Sequence, residues 1–319
     1  VRRGSFRSAS ENLGQSVNLL RRRINELERQ LGTTLLTRHF DGVRTTSEGD
    51  QILSAARKME AASFGIVRAR NRAVTGLSGE AKIAVTEGLG AFWLTPRLVE
   101  FQRSYPGIVV DLICAMRSVD VLRLEADAAV QLTKPTAADL KVVKLGRLHV
   151  IPFVGRPYIE RYGIPNTFDE LLKHRIVLQV AEQMPTKSNY DMLFPGVPEP
   201  GFVALRTNVS STHYWAIAKG AGIGWLPTYS YAIGGRVVPL DIDPKLRFTF
   251  DIWLTYHPDA NKIPRIRRTI DWILESFSAK DFPWFGDEFV HPNDLPTEHR
   301  GAPLVNMFEG FLGAHMNGK

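Results

Sequence analysis

The sequence predicts an α/β protein in three parts: a small basic helical head, a long connecting helix and a larger body of two α/β lobes. Three observations carry this. Residues 1–75 hold 14 Lys or Arg against 7 Asp or Glu, the whole net charge of +7, while residues 76–319 carry 26 of each sign. Apolar residues in that first quarter recur at helical spacing, and beyond it short β-branched runs alternate with helical stretches, the wiring of a mainly parallel sheet. A chain of 319 residues suits two or three domains at roughly 100–200 residues each.

Composition excludes several classes. With 44% hydrophobic and 23% charged residues, the chain is not mainly disordered. Cys114 is the single cysteine, which excludes an intrachain disulfide, a thiolate zinc cluster and an iron–sulfur centre and fits a reducing compartment. No apolar run approaches the ~18 residues that spanning a bilayer needs. The basic N-terminus leads into polar sequence, not an apolar signal core. The expected location is cytoplasmic, with no membrane partner.

In the head, Phe6 to Leu13 forms a short helix with Phe6, Ala9 and Leu13 on one side, and Gly14 makes the turn that follows. From Ser16 to Leu31 the residues Val17, Leu20, Ile24, Leu27 and Leu31 form an amphipathic stripe. Ser16 is placed as N-cap and Gly32 as C-cap. This is helix-turn-helix spacing. At about 100° per residue, Asn18, Arg22, Asn25 and Arg29 fall opposite the stripe, with Arg21 and Arg23 flanking it. Arg and Asn pair bidentately with guanine and adenine edges, so the face suits major-groove entry on double-stranded DNA; the plain alternative is a solvated Arg-rich surface. Leu35, Leu36 and Arg38, the Asp41-Gly42 turn, and Val43, Arg44 and Thr45 predict a two-stranded wing, from which Arg38, His39 and Arg44 reach the phosphate backbone.

These residues resemble the LysR-type transcriptional regulators. The N-terminal signature of that family is matched without a gap by Gly4-Ser5-Phe6, Ala9, Leu13, Ser16, Leu20, Arg22, Ile24, Leu27-Glu28, Leu31-Gly32, Leu35, Arg38, Gly42, Thr45 and Gly49. Two departures stand out: Val17-Asn18 replaces the usual Gln-Pro after the capping Ser, and the chain begins inside what the family has as its first helix. The resemblance implies a winged helix-turn-helix head over residues 1–46, its first helix truncated, and a connector over 47–77 that pairs subunits into a homodimer or homotetramer.

Thr46 is placed to cap that connector helix, which runs to about Val74 with Ile52, Leu53, Ala56, Met59, Ser63, Ile66 and Val67 along one side. Thr75 to Gly79 reads as a hinge. The body follows as strand Lys82–Thr86, helix Leu94–Ser104, strand Val109–Ile113, helix Val119–Leu124 and strand Ala128–Leu132. A second unit from about Val150 to Val238 contains helix Asp169–His174, strand Ile176–Val180, strand Val203–Asn208 and helix Ser211–Lys219. The chain returns through Thr249–Tyr256 and helix Pro264–Ser278. Leaving one lobe and coming back makes two crossing strands and a cleft between lobes, where ligands favour binding.

Leu94-Thr95-Pro96, Phe101, Tyr105-Pro106, Ala126-Asp127-Ala128 and Gly220–Pro227 resemble the effector domain of the same regulators, which implies a two-lobed fold like a type 2 periplasmic binding protein over residues 78–280. Three strand-to-helix junctions point polar groups toward the cleft: Thr86-Glu87-Gly88, Arg117-Ser118, and Asn208 with Ser210-Ser211-Thr212. Helix N-termini favour anions, so the expected effector is a small anion; the plain alternative is that Ser118 and Ser210 merely cap helices. Gln131 stands where the family often has an Arg after the third strand, which tilts the preference toward a neutral or weakly acidic effector.

The chemistry of catalysis is missing. Gly88-Leu89-Gly90 is no dinucleotide fingerprint, the eight histidines show no metal spacing, and Cys114 is expected to pack in a buried strand. No enzyme activity and no cofactor or metal is expected. Residues 281–319 form an extension of unread purpose, with aromatics at Phe282, Trp284, Phe285 and Phe289 that dock on the body and a short helix over Val305–Leu312. A regulator is the expectation. The rival is a cytoplasmic two-lobed binding protein or enzyme with a basic decoration.

Overall fold

The computed structural model describes residues 5–39, 42–72, 76–184, 186–232 and 236–295. The chain divides into two compact units, Val1–Ala69 and Arg70–Lys319.

The first unit is built from local signals. Helix α1 (Phe6–Leu13) is capped by Ser5, whose hydroxyl accepts from Ser8 N–H, and ends at Gly14 with φ +61°. Helix α2 (Val17–Leu31) starts at Ser16, whose Oγ accepts from Leu19 N–H at 3.2 Å, and stops at Gly32 in the left-handed region. Strands β1 (Leu36–His39) and β2 (Gly42–Thr45) pair antiparallel as the wing, with Arg38 opposite Val43. Asp41 of the expected turn lies outside the described residues. Two ties fix the wing. Glu28 Oε1 accepts from Leu35 N–H at 2.7 Å and Leu36 N–H at 3.1 Å, and Thr46 Oγ1 donates to Thr34 O while accepting from Gly49 N–H. Gly49 is buried with Leu35 O so close that any Cβ would overlap it, which is why a glycine stands there. Helix α3 (Ser47–Arg72) follows. On it Met59 and Ile66 are 75% and 74% exposed, so its apolar side is uncovered.

The second unit contains strands β3 (Gly79–Val85), β4 (Ile108–Cys114), β5 (Ala128–Gln131), β6 (Lys141–Gly155), β7 (Ile176–Gln179), β8 (Val203–Thr207), β9 (Ile223–Pro227), β10 (Val237–Pro239) and β11 (Phe248–Tyr256). Its helices are α4 (Thr95–Ser104), α5 (Arg156–Tyr162), α6 (Phe168–Leu171), α7 (Thr186–Leu193), α8 (Glu199–Phe202), α9 (Ser210–Ala218) and α10 (Pro264–Ser276). The strand order is β4-β3-β5-β11-β6-β9-β7-β8, with β10 on β6. The sheet is mixed, which corrects the mainly parallel expectation. Parallel pairing is confined to β4-β3-β5 in one lobe and β9-β7-β8 in the other, while β6 and β11 run antiparallel to their neighbours because they carry the chain across and back.

Two predicted helices are shorter than expected. Val119–Leu124 yields only a 3₁₀ turn, Val121–Arg123, capped by Asp120 and closed by Leu124 at φ +57°. Asp169–His174 yields the single turn α6, capped by Thr167 Oγ1. Cys114 lies in β4 but is exposed, with Sγ packed toward Gly90, and burial followed by the Glu87 charge raises its thiol pKa. This corrects the buried placement.

One core joins the first lobe, the crossing strands and part of the extension. A second fills the other lobe around Val154, Tyr158, Ile176, Phe194 and Ile223. From the extension, Trp284 and Phe285 are buried against Trp93 at ring distances of 5.5 and 4.9 Å. The segment also lies along β6, where His149 Nε2 donates to Gly286 O at 2.9 Å and Lys144 pairs with Asp287 at 3.0 Å. The Val305–Leu312 helix lies outside the described residues.

Candidate functional site

The outward face of α2 is polar and open. None of its residues is buried, and Ser16, Asn18, Arg21, Arg22, Arg23, Asn25 and Arg29 are all exposed. Three of the seven have internal partners, the first being Ser16, whose Oγ caps the helix at Leu19 N–H. Arg29 pairs with Glu26, three residues away, and Arg21 lies over the Phe6 ring at 5.6 Å, so its side chain also serves the α1–α2 contact. That leaves Asn18, Arg22, Arg23 and Asn25 as the contiguous polar face. On the wing, His39 and Arg44 are exposed, with His39 Nε2 3.2 Å from Thr37 Oγ1. Arg38 belongs to β1, and the placement of its side chain lies outside what is described.

In the second unit a cavity lies between the lobes. Thr86, Gly88 and Ser210 line it, together with Phe92, Met116 and Trp225. Thr86 sits at the end of β3, with its N–H on Val130 O at 3.2 Å and its C=O accepting from Gly90 N–H at 2.9 Å. The chain then enters a π-helical turn, Leu89–Leu94, which directs Leu89 and Phe92 into the cavity; such turns recur at functional sites. A Cβ built on Gly88 would come within 2.9 Å of Ser210 Cβ, so glycine there permits the lobes to meet.

The meeting is bonded. Gln179 Nε2 donates to Ser210 Oγ at 2.7 Å, and Ser210 Oγ approaches Met116 Sδ at 3.8 Å. Ser211 N–H, in the first turn of α9, donates to Glu87 Oε2 of the opposite lobe at 3.0 Å. Leu132 N–H donates to Gln183 Oε1 at 2.8 Å. The Met116, Glu87 and Gln183 contacts bridge the cleft, while the Gln179–Ser210 bond lies within the second lobe. Gln179 and Gln183 escaped sequence reasoning, and Glu87 was read only as part of the Thr86-Glu87-Gly88 junction, with no role of its own.

The other predicted residues lie elsewhere. Ser118 is exposed outside the cavity lining, beside Arg117, whose guanidinium bonds Glu125 at 3.1 Å. Asn208 is exposed just after β8. Gln131 is buried at the end of β5 with its Oε1 lacking a hydrogen-bond partner. His213 is buried in α9, donates from Nε2 to Trp225 O, and is held neutral by burial at a pKa of about 4. It lines an adjoining cavity inside the second lobe that shares Val150, Gln179, Met184 and Trp225 with the first. Among the described residues no group of three or more His, Cys, Asp or Glu is arranged to hold a metal ion.

Family comparisons decide what carries these two surfaces. Residues 1–50 match the bacterial regulatory helix-turn-helix protein, lysR family, and residues 75–278 match the LysR substrate binding domain. The chain belongs to the LysR family. LysR regulators are DNA-binding proteins and not enzymes, they respond to small-molecule effectors and they assemble as oligomers. This LysR chain is 33% identical over 179 residues to an HTH-type transcriptional regulator of Xanthomonas campestris, an alignment spanning 55% of this chain and about half, 51%, of that protein. It is 23% identical over 288 residues to the probable HTH-type transcriptional regulator LtrA of Klebsiella pneumoniae, spanning 88% and 92%. Among solved structures, CrgA of Neisseria meningitidis superposes with a TM-score of 0.52 at 19% identity, covering 87% of this chain and 95% of that one. The virulence activator AphB of Vibrio cholerae gives 0.51 at 18%, covering 86% and 94%. Both support the two-part LysR fold. Among the described residues no helix is long and apolar enough to cross a membrane.

Proposed function

We propose that this LysR chain is a cytoplasmic, sequence-specific DNA-binding regulator whose operator affinity is set by a small molecule held between the lobes of its second unit. The observation that carries the reading is the exposed face of α2, where Asn18, Arg22 and Asn25 stand beside Arg23 on a helix capped at both ends. Asn and Arg read base edges in the major groove, while Arg23, Arg38, His39 and Arg44 hold phosphates. Two copies pair along α3, whose Met59 and Ile66 are open, and so present two α2 helices to one duplex. Homodimer and homotetramer both build on that pair.

The test is selection of duplexes from a random-sequence pool by the full chain. Enriched sites should be dyads whose half-sites lie about one helical turn, ~10 base pairs, or a multiple of it apart; absence of enrichment overturns the reading. In the same protein, Ile52→Asp and Met59→Asp should lower the mass measured by light scattering and loosen operator binding together. Unchanged mass in both variants would remove the α3 pairing.

A further inference from the structure

The cleft carries its own carboxylate. Glu87 Oε2 accepts from Ser211 N–H at 3.0 Å, so the first turn of α9, where an incoming carboxylate is expected to dock, is occupied by a side chain of the opposite lobe. Ser210 is committed as well, accepting from Gln179. Among the described residues that line the inter-lobe cavity, none is Lys, Arg or His. Arg117 spends its charge on Glu125, and Arg236 lies over the Trp215 ring at 5.6 Å, outside the lining.

The negative field reaches the wall. Burial first, and then the Glu87 charge, hold the Tyr229 phenol well above its ordinary pKa, and Tyr229 lines the cavity. An anion taken into this cavity would meet no cationic group among the described lining residues and would feel the Glu87 carboxylate at the neighbouring α9 terminus. The rest of the surface favours a different ligand. Leu89, Phe92, Met116, Trp225 and Leu226 supply apolar and aromatic area for a ligand to cover. Thr86 and Ser230 supply hydrogen-bonding groups without net charge.

Resting on the reading of this cleft as the effector site, we propose that the effector is an uncharged, ring-bearing apolar molecule and that Glu87 is the specificity determinant that excludes anions. The ring packs among Phe92, Met116 and Trp225, and a hydroxyl or amide on it bonds the Thr86 and Ser230 side. The adjoining second-lobe cavity, which shares Gln179 and Met184, extends the space for a longer ligand.

The experiment titrates the full chain calorimetrically with 2-naphthol and 2-naphthoate, near-isosteres that differ in charge at about neutral pH. Wild type, Glu87→Gln and two cavity-filling variants, Met116→Trp and Met184→Trp, are compared after circular dichroism confirms that each is folded. In the wild type 2-naphthol should bind about tenfold or more tightly than 2-naphthoate. Glu87→Gln should narrow that gap by admitting 2-naphthoate, and a folded filling variant should weaken both. If 2-naphthoate binds as well as 2-naphthol in the wild type and a filling variant weakens both, the uncharged class is overturned while the cleft stands as the site. If 2-naphthol binds the filling variants as it binds the wild type, the cleft itself is overturned. No binding of 2-naphthol to the wild type, or an unchanged gap in Glu87→Gln, overturns the proposal.

Discussion

Trp93→Ala should destabilise the second unit by about 3–5 kcal/mol, the range for deleting a large buried aromatic. Trp93 is fully buried at the end of the π-helical turn, with Phe282, Phe285, Trp284 and Tyr229 at ring distances of 4.9, 4.9, 5.5 and 5.7 Å. Its Nε1 donates to Ser276 O at 2.8 Å, so truncation also orphans a buried carbonyl in the last turn of α10. A further cost falls on Arg97, whose guanidinium stacks 3.3 Å from the Trp93 ring and whose pKa burial lowers to about 9, leaving it charged at neutral pH but poorly hydrated. Without the ring, that buried cation keeps only Phe282, at 4.5 Å, as an aromatic face. At roughly 2–4 °C per kcal/mol for a unit of this size, the melting transition of the second unit should fall by about 6–20 °C. Trp93→Phe, which retains most of the apolar volume and loses the indole N–H, should fall by less than half as much. Scanning calorimetry on the full chain reads both variants; a drop below about 2 °C for Trp93→Ala would mean that the ring cluster repacks around the void and that the extension does not depend on it.

The same cluster shows where sequence and structure part. The aromatics at Phe282, Trp284 and Phe285 mark a segment that docks, but which groups receive them depends on Trp93 in a turn almost 190 residues earlier. Local signals were legible because their physics is local. Ser16 and Gly32 bound α2 by offering a cap and a left-handed turn within one helical turn of the chain. The crossing strands were legible because the order of strand and helix patterns forces a return to the first lobe. Failures came where a side-chain pairing or a backbone conformation that the apolar spacing does not encode overrides the local pattern. The helix expected at Val119–Leu124 stops after one 3₁₀ turn because Leu124 adopts positive φ. Arg21 and Arg29 share the face of α2 by spacing, yet Phe6 and Glu26 engage them.

At the cleft, Thr86, Gly88 and Ser210 were legible as ends of strands and helices that converge in this topology. Glu87 was legible only as a member of its junction; its bond to α9 was not, because that exists only when the first turn of α9, over 120 residues away, lies within hydrogen-bond reach. The expected anion followed from reading the α9 terminus as vacant, whereas Glu87 accepts from Ser211 N–H there, which is the ground of the uncharged effector proposed above. Ser118 was placed by the same logic, and without a helix after it no converging amides stand at that junction.

On the first unit, Arg22→Ala should weaken binding to a selected operator by about 1–3 kcal/mol, roughly 5- to 150-fold, and relax base preference at one position of each half-site. Arg22 is exposed in the second turn of α2, behind the Ser16 cap that presents the helix end-on, and no ion pair within α2 competes for it as Glu26 does for Arg29. A bidentate guanidinium reads guanine; alanine there cannot distinguish bases. Arg44→Ala on the wing should act differently, weakening selected and random duplexes alike and lowering the slope of log affinity against log salt by about 1, because a phosphate contact contributes counterion release and no sequence information. Arg29→Ala should cost less than Arg22→Ala on either duplex, since Glu26 already neutralises its charge. Fluorescence anisotropy with selected and random duplexes at several salt concentrations separates the cases. An equal loss for Arg22→Ala on both duplexes would assign that residue to the phosphate backbone and move base reading to Asn18 and Asn25, whose exposed amides pair with adenine edges across the major groove.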